Sequence, residues 1–189
     1  MKRIVISQAL LIVMLSALSC TTEDTIKLED TDDVCTQMDD IEFMKYCYAE
    51  YDANKDGKVS IHEAAAAKFM YIEGRYITSL KGIEYFINLL DLVCSDNLLM
   101  SLDVSNCVNL IMLDCGDNDL ETLDVNHCTN LRTIFCDYNH LESLDVSTCS
   151  GLTFVNCSNN PIETLYLSSK NKPELQYWVQ DYTQIVYLD

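Results

Sequence analysis

From Leu89 to Leu167 the apolar positions of the chain return as one figure. Its clearest copy runs Leu110-x-x-Leu113-x-Cys115-x-x-Asn118-x-Leu120-x-x-Leu123-x-Val125-x-x-Cys128-x-x-Leu131. Cys94, Cys115, Cys136 and Cys157 stand 21 residues apart, and Cys107, Cys128 and Cys149 keep the same interval. Asn97, Asn118, Asn139 and Asn160 fall in register with them. Within each unit the run Leu-x-x-Leu-x-Cys alternates apolar and polar positions, which predicts a short strand with one face buried. A buried Asn in every unit is expected to satisfy backbone groups that a turn leaves without partners. One such unit buries too few side chains to hold its backbone in place, so neighbouring units must share surface and ladder hydrogen bonds.

A fixed period of this kind, with Leu, Cys and Asn at constant offsets, is a leucine-rich repeat. Looser copies extend the array: Met70-x-Ile72 with Ile77 and Leu80 before it, and Leu165-x-Leu167, Tyr177, Trp178 and the run Gln184 to Leu188 after it. The pattern predicts an α/β fold, a solenoid of about five 21-residue coils plus caps, with a curved parallel sheet.

Ahead of the repeats the periodicity changes. Ile41, Met44, Tyr48 and Tyr51 fall at helical spacing, and Glu63 to Lys68 has high helix propensity. Between them, Asp52-Ala-Asn-Lys-Asp-Gly-Lys-Val-Ser-Ile-His-Glu63 matches the EF-hand calcium loop over all twelve positions. Asp52, Asn54 and Asp56 offer side-chain oxygens at positions 1, 3 and 5, and Gly57 turns the chain at position 6. Lys58 offers its backbone carbonyl, Ser60 serves as ligand or holds a water, and Glu63 closes the shell with two oxygens. Ca2+ is a hard cation that takes six to eight oxygen ligands, which is what this spacing provides. Hands usually pair through the apolar residue at position 8, here Val59, but the sequence holds no second loop. A structural calcium site of modest affinity is therefore expected rather than a sensor.

The array is similar to the bacterial cysteine-ladder, internalin-like leucine-rich repeats, and to lipoproteins in which an EF-hand-like segment runs straight into such an array. The junction Ile77-Thr78-Ser79-Leu80-Lys81-Gly82-Ile83-Glu84-Tyr85-Phe86 and the recurring Leu-Asp-Val-Ser/Asn carry this resemblance, over about residues 39–189. It implies extracellular recognition of a protein or a host surface, without naming the ligand.

The first residues have the layout of a secretory signal peptide: Lys2 and Arg3, an apolar run from Ile4 to Leu18, then small residues. The run is too short to span a bilayer. Ala17-Leu18-Ser19-Cys20 resembles a lipobox, which implies lipidation of Cys20; Ala17 stands where such motifs usually carry Leu, and it also fits ordinary signal-peptidase cleavage. Thr21-Thr22-Glu23-Asp24 resembles the acidic export tag of surface lipoproteins. The organisation expected is a signal peptide (1–19), a lipid anchor and acidic tether (20–38), an EF-hand-like helix-loop-helix (39–69), and the array with a C-terminal cap (70–189). The product is an exported protein held by its lipid at the outer membrane or cell surface.

Charge excludes one class of partner. The chain carries 30 acidic against 12 basic side chains, a net charge of -18. Losing residues 1–19 removes two basic side chains and no acidic one, which leaves 10 against 30 and a charge of -20. A nucleic-acid backbone would be repelled.

The ladder cysteines are expected to be buried free thiols, since stacked Cβ vectors run parallel rather than toward each other. Cys35 and Cys47 lie outside the repeats, and their pairing stays open. Zinc sites use close Cys pairs that this chain lacks, so His127 and His140 near the ladders do not suggest one. The residues flanking Leu and Cys in each strand should form the outward face of the sheet. These are Asp91, Val93 and Ser95; Met112, Asp114 and Gly116; Thr133, Phe135 and Asp137; Phe154, Asn156 and Ser158. Phe135, Phe154 and Met112 amid acidic residues resemble a protein-binding patch. Asp103, Asp124 and Asp145 form a second column, read as solvated turn residues. No nucleophile-base arrangement and no Gly-rich phosphate loop is present, so a binding module is expected rather than an enzyme.

Overall fold

The computed structural model describes residues 33–171 and 175–189; the leader and residues 20–32 of the anchor and acidic tether lie outside the described residues. A short 3-10 turn, Val34–Gln37, leads into helix α1 (Ile41–Tyr51), the candidate loop, and helix α2 (Ile61–Ala66). Short strands follow: β1 (Phe69–Tyr71), β2 (Asp91–Val93), β3 (Ser101–Asp103), β4 (Met112–Asp114), β5 (Thr122–Asp124) and β6 (Thr133–Phe135). The series continues with β7 (Ser143–Asp145), β8 (Phe154–Asn156), β9 (Thr164–Ser168), β10 (Gln176–Trp178) and β11 (Gln184–Leu188).

The chain winds as a leucine-rich-repeat solenoid with a small helical cap at its N-terminal end. Its front wall is a parallel sheet in the order β1-β2-β4-β6-β8-β10. Asp91, Met112, Thr133 and Phe154 stand side by side in it, one period apart. The end coils are one residue longer, pairing Phe69 with Asp91 and Gln176 with Phe154. The back wall is made of β3 with β5, and of β7, β9 and β11. Between the walls lies a continuous apolar core. Leu92, Leu113, Ile134 and Val155 come from the front, Leu102, Leu144 and Leu165 from the back, and both cysteine ladders fill the corners.

The buried asparagines hold the turn that follows each front strand. Asn118 Nδ2 donates to the carbonyls of Cys94 (3.0 Å), Cys115 (3.2 Å) and Gly116 (3.1 Å), and its Oδ1 accepts from Leu99 N–H (3.0 Å). Asn97, Asn139 and Asn160 repeat this pattern. Each therefore bonds its own coil and the one before it. The residue ahead of each Asn is left-handed: Asp96, Asp117, Tyr138 and Asn159 have φ of 51–55°.

None of the nine cysteines among the described residues is in a disulfide, and all nine are buried. Cys128 Sγ donates to Val104 O at 3.2 Å. Burial pushes the Cys107, Cys128 and Cys157 thiols up to about 12 and Cys149 to about 11. Cys94, Cys115 and Cys136 are raised further for the same reason. These groups stay protonated and act as small apolar wedges.

The helical segment closes the N-terminal end of the core. On α1 the buried residues are Phe43 and Cys47, not Ile41, which is 59% exposed. Asp40 is the reason: as N-cap it accepts from Glu42 and Phe43 N–H and starts the helix with Ile41 turned to solvent. Phe86 of the first coil meets Phe43 (ring centroids 6.4 Å apart) and Tyr51 (5.1 Å). Asp40 Oδ2 also accepts from Thr78 N–H (2.8 Å) and Thr78 Oγ1 (2.9 Å), tying cap to coil. Helix α2 is shorter than its propensity suggests, because after Ala66 the chain passes directly into β1.

Candidate functional site

The candidate calcium loop begins at the last turn of α1, where Asp52 is the C-cap, and ends in α2. Asp52 accepts from Asp56 N–H (Oδ1, 3.1 Å) and Gly57 N–H (Oδ2, 3.0 Å). Asn54 Oδ1 accepts from Asp56 N–H (2.9 Å), and Asp56 Oδ1 accepts from Lys58 N–H (2.9 Å). Gly57 has φ +83° with open space where a Cβ would be, so its glycine serves the backbone turn and not a steric gap. Lys58 is exposed, and Ser60 is buried as N-cap of α2 in a capping box with Glu63.

Glu63 links the two ends of the loop. Its Oε1 accepts from Ala53 N–H (2.9 Å) and Asn54 N–H (3.2 Å), and its Oε2 from Ser60 N–H and Oγ (both 2.9 Å). Burial alone would raise this carboxyl, but the Ser60, Asn54 and Ala53 donors outweigh it and hold its pKa down. Among the described residues no three His, Cys, Asp or Glu side chains are gathered into a metal cluster. The loop oxygens face the loop's own N–H groups instead. The donor set itself is all oxygen and all on one loop, the chemistry a hard cation takes.

The second candidate is the outer face of the front sheet, where two columns run along the solenoid. One is Phe69, Asp91, Met112, Thr133, Phe154 and Gln176; the other is Tyr71, Val93, Asp114, Phe135, Asn156 and Trp178. Asp91, Val93, Met112, Asp114, Thr133, Phe135, Asp137 and Phe154 are half-buried, because strands about 4.8 Å apart shade one another's side chains. Asn156 departs from expectation. It is only 7% exposed, set between Phe135 and Trp178 in its column, and its Oδ1 accepts from Ser158 N–H (3.2 Å) and Oγ (2.8 Å). It braces the strand end and does not present itself to a partner.

Phe154 lies diagonally between two other rings. Its centroid is 5.3 Å from Phe135 and 5.5 Å from Trp178, the latter edge-on at 77°. This row crosses three adjacent strands, and Trp178 at its end is 59% exposed. At the opposite edge Phe69 and Tyr71 stack at 6.5 Å and are about half exposed. Sequence reasoning did not place Trp178, Phe69 or Tyr71 on this face, because the one-residue-longer end coils break the period. Aligning Met70 with Leu92 and Tyr177 with Val155 is the signal that finds them.

Acidic side chains fill the middle of the face. Asp114 is raised by burial first and by the nearby Asp137 and Asp117 charges, with the Gly116 N–H and Ser95 hydroxyl working against them. Gly116 sits between the two carboxylates: a Cβ there would lie 3.2 Å from Asp137 Oδ1 and 3.6 Å from Asp114 Oδ1. The other acidic column is different. Asp103, Asp124 and Asp145 each accept from the N–H two residues on (2.8–2.9 Å), so they cap their own turns. His140 lies 3.6 Å from Asp119 on the exposed surface, away from the buried Cys136.

No family model and no curated protein matches the chain. Among solved structures it is similar to three proteins of Listeria monocytogenes. One is an internalin, inlF, with 18% identity and TM-score 0.48, covering 78% of this chain and 53% of that one. Another is internalin C2, with 17% identity and TM-score 0.47, covering 80% and 88%. A third is the functional domain of InlJ, which includes a cysteine ladder, with 16% identity and TM-score 0.30, covering 84% and 63%. The chain thus spans 53% of the inlF chain and 63% of the InlJ domain.

Proposed function

We propose that this chain is an exported, lipid-anchored recognition module that binds a protein or host-surface component through the front sheet, and that it is not an enzyme. Cys20 carries the lipid, and the outer membrane or cell surface is its place. The observation that supports this reading is the row Phe135-Phe154-Trp178 beside Asp114 and Asp137: aromatic anchors next to a pair of carboxylates suit a partner segment that is apolar at one end and basic at the other.

Calcium belongs to the same reading as a stabiliser. Asp52, Asn54, Asp56, the Lys58 carbonyl, Ser60 and Glu63 would hold one Ca2+ on the loop. Because α1 and α2 close the end of the solenoid core, ordering the loop would firm the coil next to it.

The test is a binding screen of the mature chain against host matrix proteins, glycans and envelope extracts. Phe135→Asp with Phe154→Asp, and Trp178→Asp alone, serve as variants. Binding that falls at least tenfold in both variants, each still giving the folded far-UV spectrum and a cooperative melt, supports the reading. Hits confined to the cell's own envelope components would favour a scaffold that docks its own cell's parts. Binding indifferent to all three substitutions would move the site off this face.

A further inference from the structure

An EF-hand normally completes itself by pairing with a second hand through loop position 8, and this sequence holds one loop only. The backbone of Val59, at that position, is nevertheless fully engaged. Val59 O accepts from Val34 N–H at 2.9 Å, and Val59 N–H donates to Asp33 Oδ1 at 3.1 Å. The Asp33 carboxylate also receives Cys35 N–H (3.1 Å) and the hydroxyl of Tyr48 on α1. Val34, Cys35, Cys47 and Val59 are all buried in one apolar cluster. One residue run thus grips the loop through its backbone and the incoming helix through its side chains. It is anchored beyond as well: Met38 packs over Gly82, where an added Cβ would come within 2.7 Å of Met38 Cγ.

We propose that residues 33–35 take the place of the missing second hand, with Asp33 as a positioning residue that pre-orders the calcium loop through Val59. This rests on the calcium reading above. Asp33 donates nothing to the ion in this account; it fixes Val59, between the Lys58 carbonyl and Ser60. Coupling of this kind is reciprocal, so calcium in turn holds the end of the tether against the hand.

Calorimetric titration of the full mature chain with Ca2+ tests this, using Val34→Pro, Asp33→Ala and the charge control Asp39→Asn. Proline at the first position of the 3-10 turn removes the Val34 N–H while suiting the local backbone. Val34→Pro and Asp33→Ala are each expected to weaken calcium binding about tenfold, the scale of one good hydrogen bond, with Asp39→Asn within about twofold. Melting in chelator should change far less than the affinity does, which a purely structural role would not produce. If a variant fails to fold, amide exchange of the unaltered chain decides, with Val34 and Val59 expected to exchange more slowly when calcium is added. Equal calcium affinity in all chains, an equal loss in Asp39→Asn, or no change in exchange would overturn the inference and leave the calcium site standing. An unaltered chain that takes up no calcium would overturn the calcium reading and this inference together.

Discussion

Asp40 concentrates several demands in one carboxylate. Burial raises its pKa, but the Thr78 and Phe43 N–H groups, the Thr78 hydroxyl and the Glu42 N–H together reverse the shift and leave it below the ordinary value. A folded-state pKa below the unfolded one means the ionised form stabilises the fold. That contribution is full above the unfolded value of about 3.9 and is lost as pH falls through the lowered folded value. Asp40→Asn should therefore cost about 2 kcal/mol near neutrality, since an amide cannot accept from the cap and from both Thr78 donors at once. Melting curves should show a gap between the two chains that is constant from pH 7 to about 5 and shrinks below about 4. A gap that persists unchanged at pH 3 would assign the loss to packing. The sequence marks Asp40 as a helix start at most, since its second partner lies 38 residues on and depends on how cap and coil dock. The ladder asparagines are the opposite case. A buried amide repeating every 21 residues leaves few roles besides bonding backbone, and the hydrogen bonds bear that out.

At the scale of elements, legibility follows how local the cause is. The repeat strands are readable because Leu-x-x-Leu-x-Cys fixes both the alternation and the buried face, and the turn between α1 and α2 is readable from Gly57 and the Asp and Asn around it. The extent of α2 is not, since Ala67 and Lys68 favour a helix that the first strand of the sheet overrides. Nor is the docking of Val34 on Val59, which joins segments 25 residues apart without any shared pattern. This arrangement makes the hand part of the solenoid's end, with Tyr51 Oη donating to Phe69 O in β1 (2.8 Å) and Asn88 Nδ2 to Ala65 O (2.8 Å). If the loop holds calcium as proposed, removing the ion should destabilise the first coil as well as the loop. With calcium at about a hundred times its dissociation constant, chelation is expected to take away about 2.7 kcal/mol from this end. Amide exchange should speed up in β1 and β2 and stay unchanged in β8 and β9, because solenoid coils contact only their neighbours. Uniform acceleration along the array, or none, would separate the hand from the repeats energetically.

Across the whole molecule, the aromatic row and the carboxylates occupy one face, and the two halves of that face relate differently to stability. Phe135, Phe154 and Trp178 pack on one another and contribute to the fold while remaining partly open to a partner. Asp114 does the reverse. Its pKa is raised by burial and by Asp137 and Asp117, so its ionised form opposes folding, and the chain's stability declines as pH rises through that folded value. No hydrogen bond offsets this fully, since the Gly116 N–H at 3.2 Å is long. A carboxylate kept where it destabilises its own sheet is what a site for a basic partner would require, because the partner's cation relieves the repulsion on binding. Asp114→Asn keeps the shape and the Gly116 acceptor and removes the charge. Near pH 7 it should raise the melting temperature and, on the proposed reading, weaken binding to a basic partner. The binding loss should shrink as salt is raised, whereas the loss from Trp178→Asp should persist in high salt. Opposite signs for stability and affinity at Asp114, and the same salt-insensitive loss at Trp178, would mark the face as built for recognition. A substitution that lowers both stability and affinity at Asp114 would show instead that its charge serves the fold.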